Sequence, residues 1–294
     1  MVWVLKKAFL FAALLLTSVA ARAQEEDTVR VLGWKSEAFG KLNLSQAGYQ
    51  NWTEGGINSL ASSTSITAKT VRTSPNWVQT YESRLAIGVV KQDTLDVRKS
   101  EDLIRIDGSV LYEGEGLLKV FNPTVAVNLR TQFAPGFNYE ENPFGDARRP
   151  PVKVSDFFAP ATLTQSIGLT YGVDWGFKQM LGIAAKETII TIRRLRPLYG
   201  QDPEESVRFE LGLESQTGVD REILRNVRLK STLRLFAAFN MDEIPDVLWE
   251  NLLIMKVNDW LSADFEFVSL IDRDVSDAVQ VKEVLSVGFS IALL

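Results

Sequence analysis

The chain of 294 residues carries 37 acidic and 32 basic side chains, a formal net charge of −5, and neither histidine nor cysteine. The lack of cysteine excludes disulfides and thiolate metal sites, and the lack of histidine excludes imidazole general bases, histidine-containing triads and the commonest metal ligand. A negative chain is also poorly suited to binding nucleic acid, or anionic lipid by charge alone.

The N-terminal stretch has the three parts of a secretory signal peptide. A basic start precedes an apolar run at 8–16, and a small-residue cleavage site follows at 21–23. The apolar run is shorter than the roughly 20 residues of a transmembrane helix, which disfavours a helical anchor. We therefore predict a signal peptide at 1–23 and an N-terminal periplasmic lead at 24–40.

Beyond the lead the sequence predicts about twelve strands separated by turn signals, each near the 9–11 residues of a tilted membrane strand. In the eighth strand, Val207, Phe209 and Leu211 alternate with Arg208 and Glu210. The strands make up a predicted barrel domain at 41–294 and lie near 41–52, 58–71, 77–91, 102–113, 119–133, 162–174, 181–194, 206–217, 227–239, 247–257, 261–271 and 281–294.

The last strand has one wholly apolar face. Leu285, Val287, Phe289 and Ile291 point one way, and small or polar residues point the other way. Such a face can look into the core of a soluble sandwich or into lipid as the closing strand of a barrel, so alternation alone leaves both folds open.

The lengths of the connections favour the barrel. If both termini are periplasmic, the connections from odd- to even-numbered strands are extracellular and should be longer. The predicted extracellular set includes 134–161 and 195–205, whereas the periplasmic set is mostly tight, as at 72–76 and 258–260. The segment 217–226 is a long exception on the periplasmic side.

The tryptophans fall at two levels, as in the aromatic girdles of a membrane barrel. Trp52 and Trp249 lie at the predicted extracellular rim, and Trp77, Trp175 and Trp260 lie at the periplasmic rim. The sequence thus predicts an all-β, antiparallel up-and-down transmembrane β-barrel of about 12 strands in the outer membrane of a diderm bacterium. A soluble periplasmic β sandwich is the alternative.

The inward phase of the strands carries both signs of charge, whereas an ion-selective pore usually carries a ring of one sign. Long Arg and Glu side chains can pair across a barrel of intermediate width and occupy the space that water would need. We predict little steady conductance, rising when Arg130 and Glu210 are both replaced by Ala; a wet, charge-lined pore is the alternative. The predicted lumen-lining residues are Glu82, Arg84, Arg105, Asp107, Arg130, Arg208, Glu210, Arg228, Lys230, Arg234, Glu250 and Lys256.

Other motifs do not point to a catalytic residue, a metal or a cofactor. Asp272, Asp274 and Asp277 lack the remaining ligands of an EF-hand and read as a solvated turn. The run 114–116 leads into a strand, so it is a hairpin turn rather than a phosphate loop. The longest connection, 134–161, is rich in aromatic residues and can cap the rim or fold inward.

Several short motifs occur together along the chain. They are Asn51-Trp52, Gly55-Gly56 and Asn58-Ser59, the runs 129–139 and 155–161, and the run 281–285 with Gly288. In these residues the chain resembles an uncharacterised, domain-of-unknown-function family of bacterial outer-membrane barrel proteins. The resemblance implies an outer-membrane barrel without an assigned activity, and it supplies no catalytic residue.

These observations favour a non-enzymatic barrel for structure, binding or limited transport. A general solute pore is the alternative, and an outer-membrane lipid or peptide hydrolase ranks last because its familiar versions use histidine. The expected partners are outer-membrane lipid and the barrel-assembly machinery, which would recognise the terminal strand, although Leu294 replaces the aromatic residue common at that position.

Overall fold

The computed structural model describes residues 32–50, 53, 56–239, 244–276 and 278–294. Twelve strands close into one antiparallel barrel, which confirms the predicted fold class. The predicted signal peptide at 1–23 lies outside the described residues, as do Trp52 and Asp277. Among the residues described, no helix combines the length and hydrophobicity needed to cross a bilayer.

Consecutive barrel strands are hydrogen-bonded neighbours, and the last strand pairs with the first. Two short strands form a separate hairpin inside the connection between the fifth and sixth barrel strands. In chain order the strands are β1 (Gly33–Ala47), β2 (Ser59–Thr73), β3 (Trp77–Gln92), β4 (Arg98–Tyr112), β5 (Asn122–Thr131), the hairpin strands β6 (Gly136–Asn138) and β7 (Val152–Ser155), then β8 (Ala161–Val173), β9 (Phe177–Ile189), β10 (Val207–Leu224), β11 (Val227–Ala238), β12 (Asp246–Lys256), β13 (Leu261–Ile271) and β14 (Gln280–Ala292).

Two barrel strands extend furthest beyond their predicted bounds. β1 begins at Gly33, inside the predicted periplasmic lead, because every residue from Gly33 onward has a registered partner on β2. β10 continues to Leu224 because the segment 217–224 pairs with β11, where a loop was expected. This longer strand removes the one long connection that did not fit the predicted asymmetry of loop lengths.

Both ends of the barrel domain lie on the same side, because Phe39 of β1 is registered with Ala292 of β14. We call this side the terminus end and the opposite side the loop end. Connections at the terminus end are short, as at 74–76, 174–176 and 225–226, and the segment 113–121 contains the single-turn helix α1 (Leu117–Val120). The prediction that 114–116 leads directly into a strand was wrong, because the run leads into this helix and β5 begins only at Asn122.

The two longest connections at the loop end pack against each other. We call these segments, 132–160 and 190–206, the cap; the second contains a 3-10 helix at Arg193–Tyr199. Ala159, Ile190 and Leu195 are fully buried and form the core of the cap. Tyr199 donates a hydrogen bond to the carbonyl of Val154 over 3.0 Å, and burial raises the pKa of Tyr199 to about 12.

The barrel wall is apolar outside and polar inside. Ile167 and Leu285, on outward positions of β8 and β14, are 69% and 64% exposed, whereas the inward carboxylates of Glu210 and Asp264 belong to residues that are only 3% exposed. Because the side chains of a strand alternate between faces, closing the sheet puts the charged phase of every strand into the lumen.

The ladder that closes the barrel is its shortest. β1 and β14 pair from Phe39 with Ala292 to Leu44 with Val287, which is six registered pairs. By comparison, β1 pairs with β2 along its whole length. Among the described residues, the first half of β14 has a ladder partner only on β13.

Candidate functional site in the barrel lumen

Ionic side chains bridge the lumen at the middle of the barrel. Glu250 on β12 accepts hydrogen bonds from Arg105 of β4 over 3.0 Å and from Arg130 of β5 over 3.1 Å. In the closed strand order, β12 lies on the wall opposite β4 and β5. These side chains therefore span the lumen instead of lining one side of it.

A second bridge crosses beside the first. Arg234 of β11 donates to Asp107 of β4 over 2.8 Å, and Asp107 also lies 3.1 Å from Nε of Arg105. Glu82 lies 3.9 Å from Arg105, and Asn128 donates to Asp107 over 2.6 Å. We call the charged members the central network: Glu82, Arg105, Asp107, Arg130, Arg234 and Glu250.

A second group of charges, which we call the loop-side network, lies between the central network and the cap. Nζ of Lys186 is 2.5 Å from Asp246 and 3.3 Å from Glu210. Arg208 lies 3.2 Å from Glu210 and also pairs with Asp274. Burial raises the pKa of the Asp274 carboxyl, an effect that the positive charge of Arg208 opposes.

The cap is joined to this network through backbone contacts. Arg208 donates a hydrogen bond to the carbonyl of Tyr199 over 3.1 Å. A side chain at Gly200, which follows Tyr199 with a φ of 68°, would lie 3.1 Å from Nη1 of Arg208 and 3.2 Å from the Asp274 carbonyl. A left-handed residue without Cβ suits this close approach of the cap to the lumen.

Arg84 belongs to a different cluster on one flank of the lumen. It lies 3.3 Å from Glu101 and 4.0 Å from Glu266, and Lys282 contacts the same two carboxylates at 3.8 and 3.2 Å. Lys41 of β1 pairs with Asp264 of β13, across the closing strand β14. Opposite charges thus meet at several levels of the lumen.

The remaining predicted lumen residues lie near the terminus end. Arg228 and Lys230 lie 2.6 and 3.9 Å from Asp220, and this group is separate from the central network. Lys256 is exposed at the last residue of β12. The structure therefore joins six of the predicted lumen residues in the central network and distributes the others among smaller groups.

One cavity lies on each side of the central network. On the loop side, a gap of about 20 Å³ lies beside Glu210, Phe236 and Asp246, which is room for about one water molecule. On the terminus side, a cavity of about 240 Å³ is lined by Lys69, Lys178 and other polar residues. We call it the terminus-side cavity.

The sequence expectations missed particular partners as well as particular residues. Arg130 was expected to act together with Glu210, but its partner is Glu250, because Glu210 lies nearer the cap and contacts Lys186 and Arg208. The inward positions of Lys69, Lys178, Lys186 and Asp246 were not singled out. Strict alternation along the predicted strands could have identified Lys69 and Lys186, whereas Lys178 and Asp246 lay just outside the predicted strands.

Four of the five predicted girdle tryptophans are described, and all four are partly exposed. At the terminus end, Trp77 packs on Tyr112, Trp175 on Phe177, and Trp260 on Phe289, with ring centroids 4.8, 5.5 and 5.9 Å apart. Trp249 lies in the loop-side half of β12, packs on Phe267 and donates to the hydroxyl of Ser231 over 3.1 Å.

The terminus end has one more exposed tryptophan than the sequence predicted. Trp34, which lies in the expected periplasmic lead, belongs to β1, and the guanidinium of Arg72 lies 5.3 Å from its ring centroid. The prediction missed this residue because it placed the start of the first strand at residue 41.

The side chains of the acidic turn at the loop end make polar contacts within the protein. Asp274 pairs with Arg208, and its backbone N–H donates to the carboxylate of Asp272 over 3.1 Å. Within the part of the chain that the structure describes, no group of three or more acidic residues is arranged to hold a metal ion. The predicted third aspartate, Asp277, lies outside that part.

Residues 44–137 match the family described as "Protein of unknown function (DUF3078)", so the chain is similar to an uncharacterised family over this segment. No curated protein matches the chain.

The fold of the chain is similar to outer-membrane barrels of known structure. The translocator domain of the autotransporter NalP from Neisseria meningitidis is 8% identical with a TM-score of 0.39, and the match covers 97% of each chain. An outer membrane channel from Pseudomonas putida F1 is 9% identical with a TM-score of 0.39, covering 92% of this chain and 99% of the channel. At this level of similarity the neighbours do not indicate what this chain binds or transports.

Proposed function

We propose that the protein is a non-enzymatic outer-membrane β-barrel with a lumen that paired charges close, serving structure, binding or limited transport. The observation that carries the membrane assignment is the inverted burial of the wall, with large apolar side chains outside and carboxylates, ammoniums and guanidiniums inside. A water-soluble barrel of this size would expose an apolar surface far larger than a monomer in water usually does.

The aromatic residues support the same assignment. Trp77, Trp175 and Trp260 collect at one level of the outer wall, together with Trp34. Amphipathic rings favour the boundary between hydrocarbon and water, so this level corresponds to one membrane interface. With short turns and both strand termini at this end, the terminus end faces the periplasm and the cap faces outward. Outer-membrane lipid and the barrel-assembly machinery are then its expected partners.

The bridges between opposite walls support a closed lumen. Arg105, Arg130 and Glu250 occupy the centre of the cross-section, and Arg234 with Asp107 fills the space beside them. An ion would have to separate these pairs to pass, and charge-assisted hydrogen bonds are among the stronger polar contacts in proteins. We infer that steady conductance is small.

A general solute pore is the second candidate, and the solvation of one bridging residue favours it. The side chain of Arg130 is 38% exposed, so water reaches the central network from at least one side. A network that fluctuates in water can admit solutes without a permanently open path. A hydrolase is disfavoured because the chain lacks histidine and the inward carboxylates of the central network are engaged by guanidiniums.

Planar-bilayer recording of the purified, refolded protein tests the proposal. We expect insertion events with conductance well below that of an open porin, and no selectivity for one sign of ion. Steady, porin-like steps would contradict a closed lumen. Membrane fractionation and the change in gel migration on boiling test the membrane assignment separately, since a protein that salt releases and boiling does not shift would not be a membrane barrel.

A further inference from the structure

The terminus-side cavity brings together two lysines from opposite walls. Lys69 is on an inward position of β2 and Lys178 on an inward position of β9, and these strands face each other in the closed strand order. Both side chains line the same cavity of about 240 Å³. The lumen thus presents two ammonium groups to one cavity.

These two lysines differ from most other cationic residues of the lumen. Within the described ranges, no ion pair within 4 Å and no side-chain hydrogen bond joins Lys69 or Lys178 to a carboxylate, and the charges that act on Lys178 are those of Lys69 and, more weakly, Glu113. Arg105 and Arg234 line the same cavity but are engaged by Glu250 and Asp107. Lys178 is exposed and Lys69 is half-buried, so both ammoniums are open to a ligand, and an anion that contacts both would gain two charge-assisted hydrogen bonds.

The carboxylates of the cavity do not replace such an anion. Glu82 and Asp107 lie 3.9 and 3.1 Å from Arg105. Glu214 is 8% exposed and has no ion pair to either lysine within the described residues. The carboxylate of Glu214 disfavours a bulky polyanion, because such a ligand would be pressed against this negative charge. The two lysine charges and the Glu214 carboxylate together favour a compact ligand that reaches both lysines.

We propose that the terminus-side cavity is a binding site for a small dianion bearing carboxylate or phosphate groups. Besides the two ammoniums, the cavity offers hydroxyl donors from Thr164 and Ser166 and an amide donor from Gln216. The cavity of about 240 Å³ has room for a short dicarboxylate or a phosphate. Because the central network closes the loop side, the ligand enters from the terminus end.

This site is independent of whether the lumen conducts, because it requires only equilibrium access from one end. Its test is calorimetric titration of the refolded protein with succinate and, separately, with inorganic phosphate. Succinamide serves as the uncharged control, and sodium chloride matches the ionic strength. Saturable binding of either anion is expected, and binding of succinamide at equal affinity would overturn the proposal. Comparison of succinate with phosphate identifies the preferred acidic group.

Substitution locates the site. Lys69→Met and Lys178→Met should each weaken anion binding by about tenfold or more, since each removes one charge-assisted contact. Lys91→Met is the matched control, because Lys91 is exposed near the loop end of β3 and should leave binding unchanged. Equal affinity in all three variants, or equal loss in all three, would overturn the proposal.

A measurement on the unsubstituted protein covers the case in which a variant fails to fold. Lysines labelled by reductive ¹³C-methylation give separate NMR signals, and assignment uses the Lys91 variant and whichever cavity variant folds. Succinate should shift the signals of the two cavity lysines and leave the signal of Lys91 in place. A titration in which no lysine signal shifts beyond the chloride control would rule the site out.

Discussion

Nη2 of Arg234 lies 2.8 Å from Oδ1 of Asp107, although the two residues are on β11 and β4, at opposite walls of the barrel. Only a lumen of limited width allows one arginine and one aspartate to meet in this way. The contact connects strands that share no ladder. The central network therefore both obstructs the lumen and stabilises the barrel.

The first prediction concerns the effect of the central network on conductance. Replacing Arg105 and Glu250 together by Ala removes one bridge while leaving the net charge unchanged, and we expect single-channel conductance to rise several-fold. Arg193→Ala with Glu204→Ala is the matched control, because that exposed ion pair belongs to the cap and leaves the lumen untouched. Equal conductance in the two double variants would show that the central network does not limit ion flow.

The second prediction concerns the contribution of the central network to stability. Glu250→Ala leaves Arg105 and Arg130 without their shared carboxylate, and removing one partner of a buried ion pair typically costs about 3 kcal/mol. The free energy of unfolding in urea, measured in lipid vesicles, should fall by roughly that amount, about 3 kcal/mol. Adding Arg130→Ala should recover part of the loss. If the single variant is as stable as the parent protein, these contacts contribute nothing to the fold.

The third prediction compares two outward positions at different heights. Ile167 pairs with Ile183 near the middle of β8 and β9, whereas Phe289 stacks on Trp260 at the terminus end. Ile167→Arg should cost about 2–4 kcal/mol and Phe289→Arg about 1 kcal/mol or less, because the cost of a lipid-facing charge falls toward the interface. The free energies of unfolding in vesicles provide the comparison. The reverse order would move the membrane boundary away from the Trp260 level.

The fourth prediction concerns the cap. Burial raises the pKa of Tyr199 to about 12 from an ordinary value of 10.0, so the neutral phenol is favoured in the folded state. Its contribution to stability is therefore complete below pH 10 and is lost as the pH rises toward 12. The difference in tyrosinate absorbance between the parent protein and Tyr199→Phe should show a step near pH 12 when folded and near pH 10 in denaturant. Equal midpoints in the two states would place this hydroxyl in solvent.

Much of the wall could be predicted from the sequence, because alternation is a local property. The pattern Val207, Phe209, Leu211 already indicates which face of β10 is apolar, and the structure keeps that phase. The partners inside the lumen could not be predicted in the same way. Whether Arg130 meets Glu210 or Glu250 depends on strand tilt and register around the closed barrel, which is a property of the whole sheet.

The cap shows a second limit of sequence patterns. β6 and β7 contain only three and four residues, too few for a period to be recognised, and Ala159 and Leu195 are buried by contacts between two separate connections. The aromatic content of the longer connection indicated that it packs against something. The sequence did not indicate the 3-10 helix against which it packs.

The shortness of the β1–β14 ladder has a consequence for the order of folding events. Other barrel ladders join strands that follow one another along the chain, but this one brings Phe39 beside Ala292. It consists of six registered pairs, extended by backbone hydrogen bonds of Ala38 with Leu293 and Leu294. The entropy of closing so long a loop must be lost before any of those pairs forms, so we expect this junction to form late in folding. In the reverse direction, we expect the folded barrel to open first between these two strands.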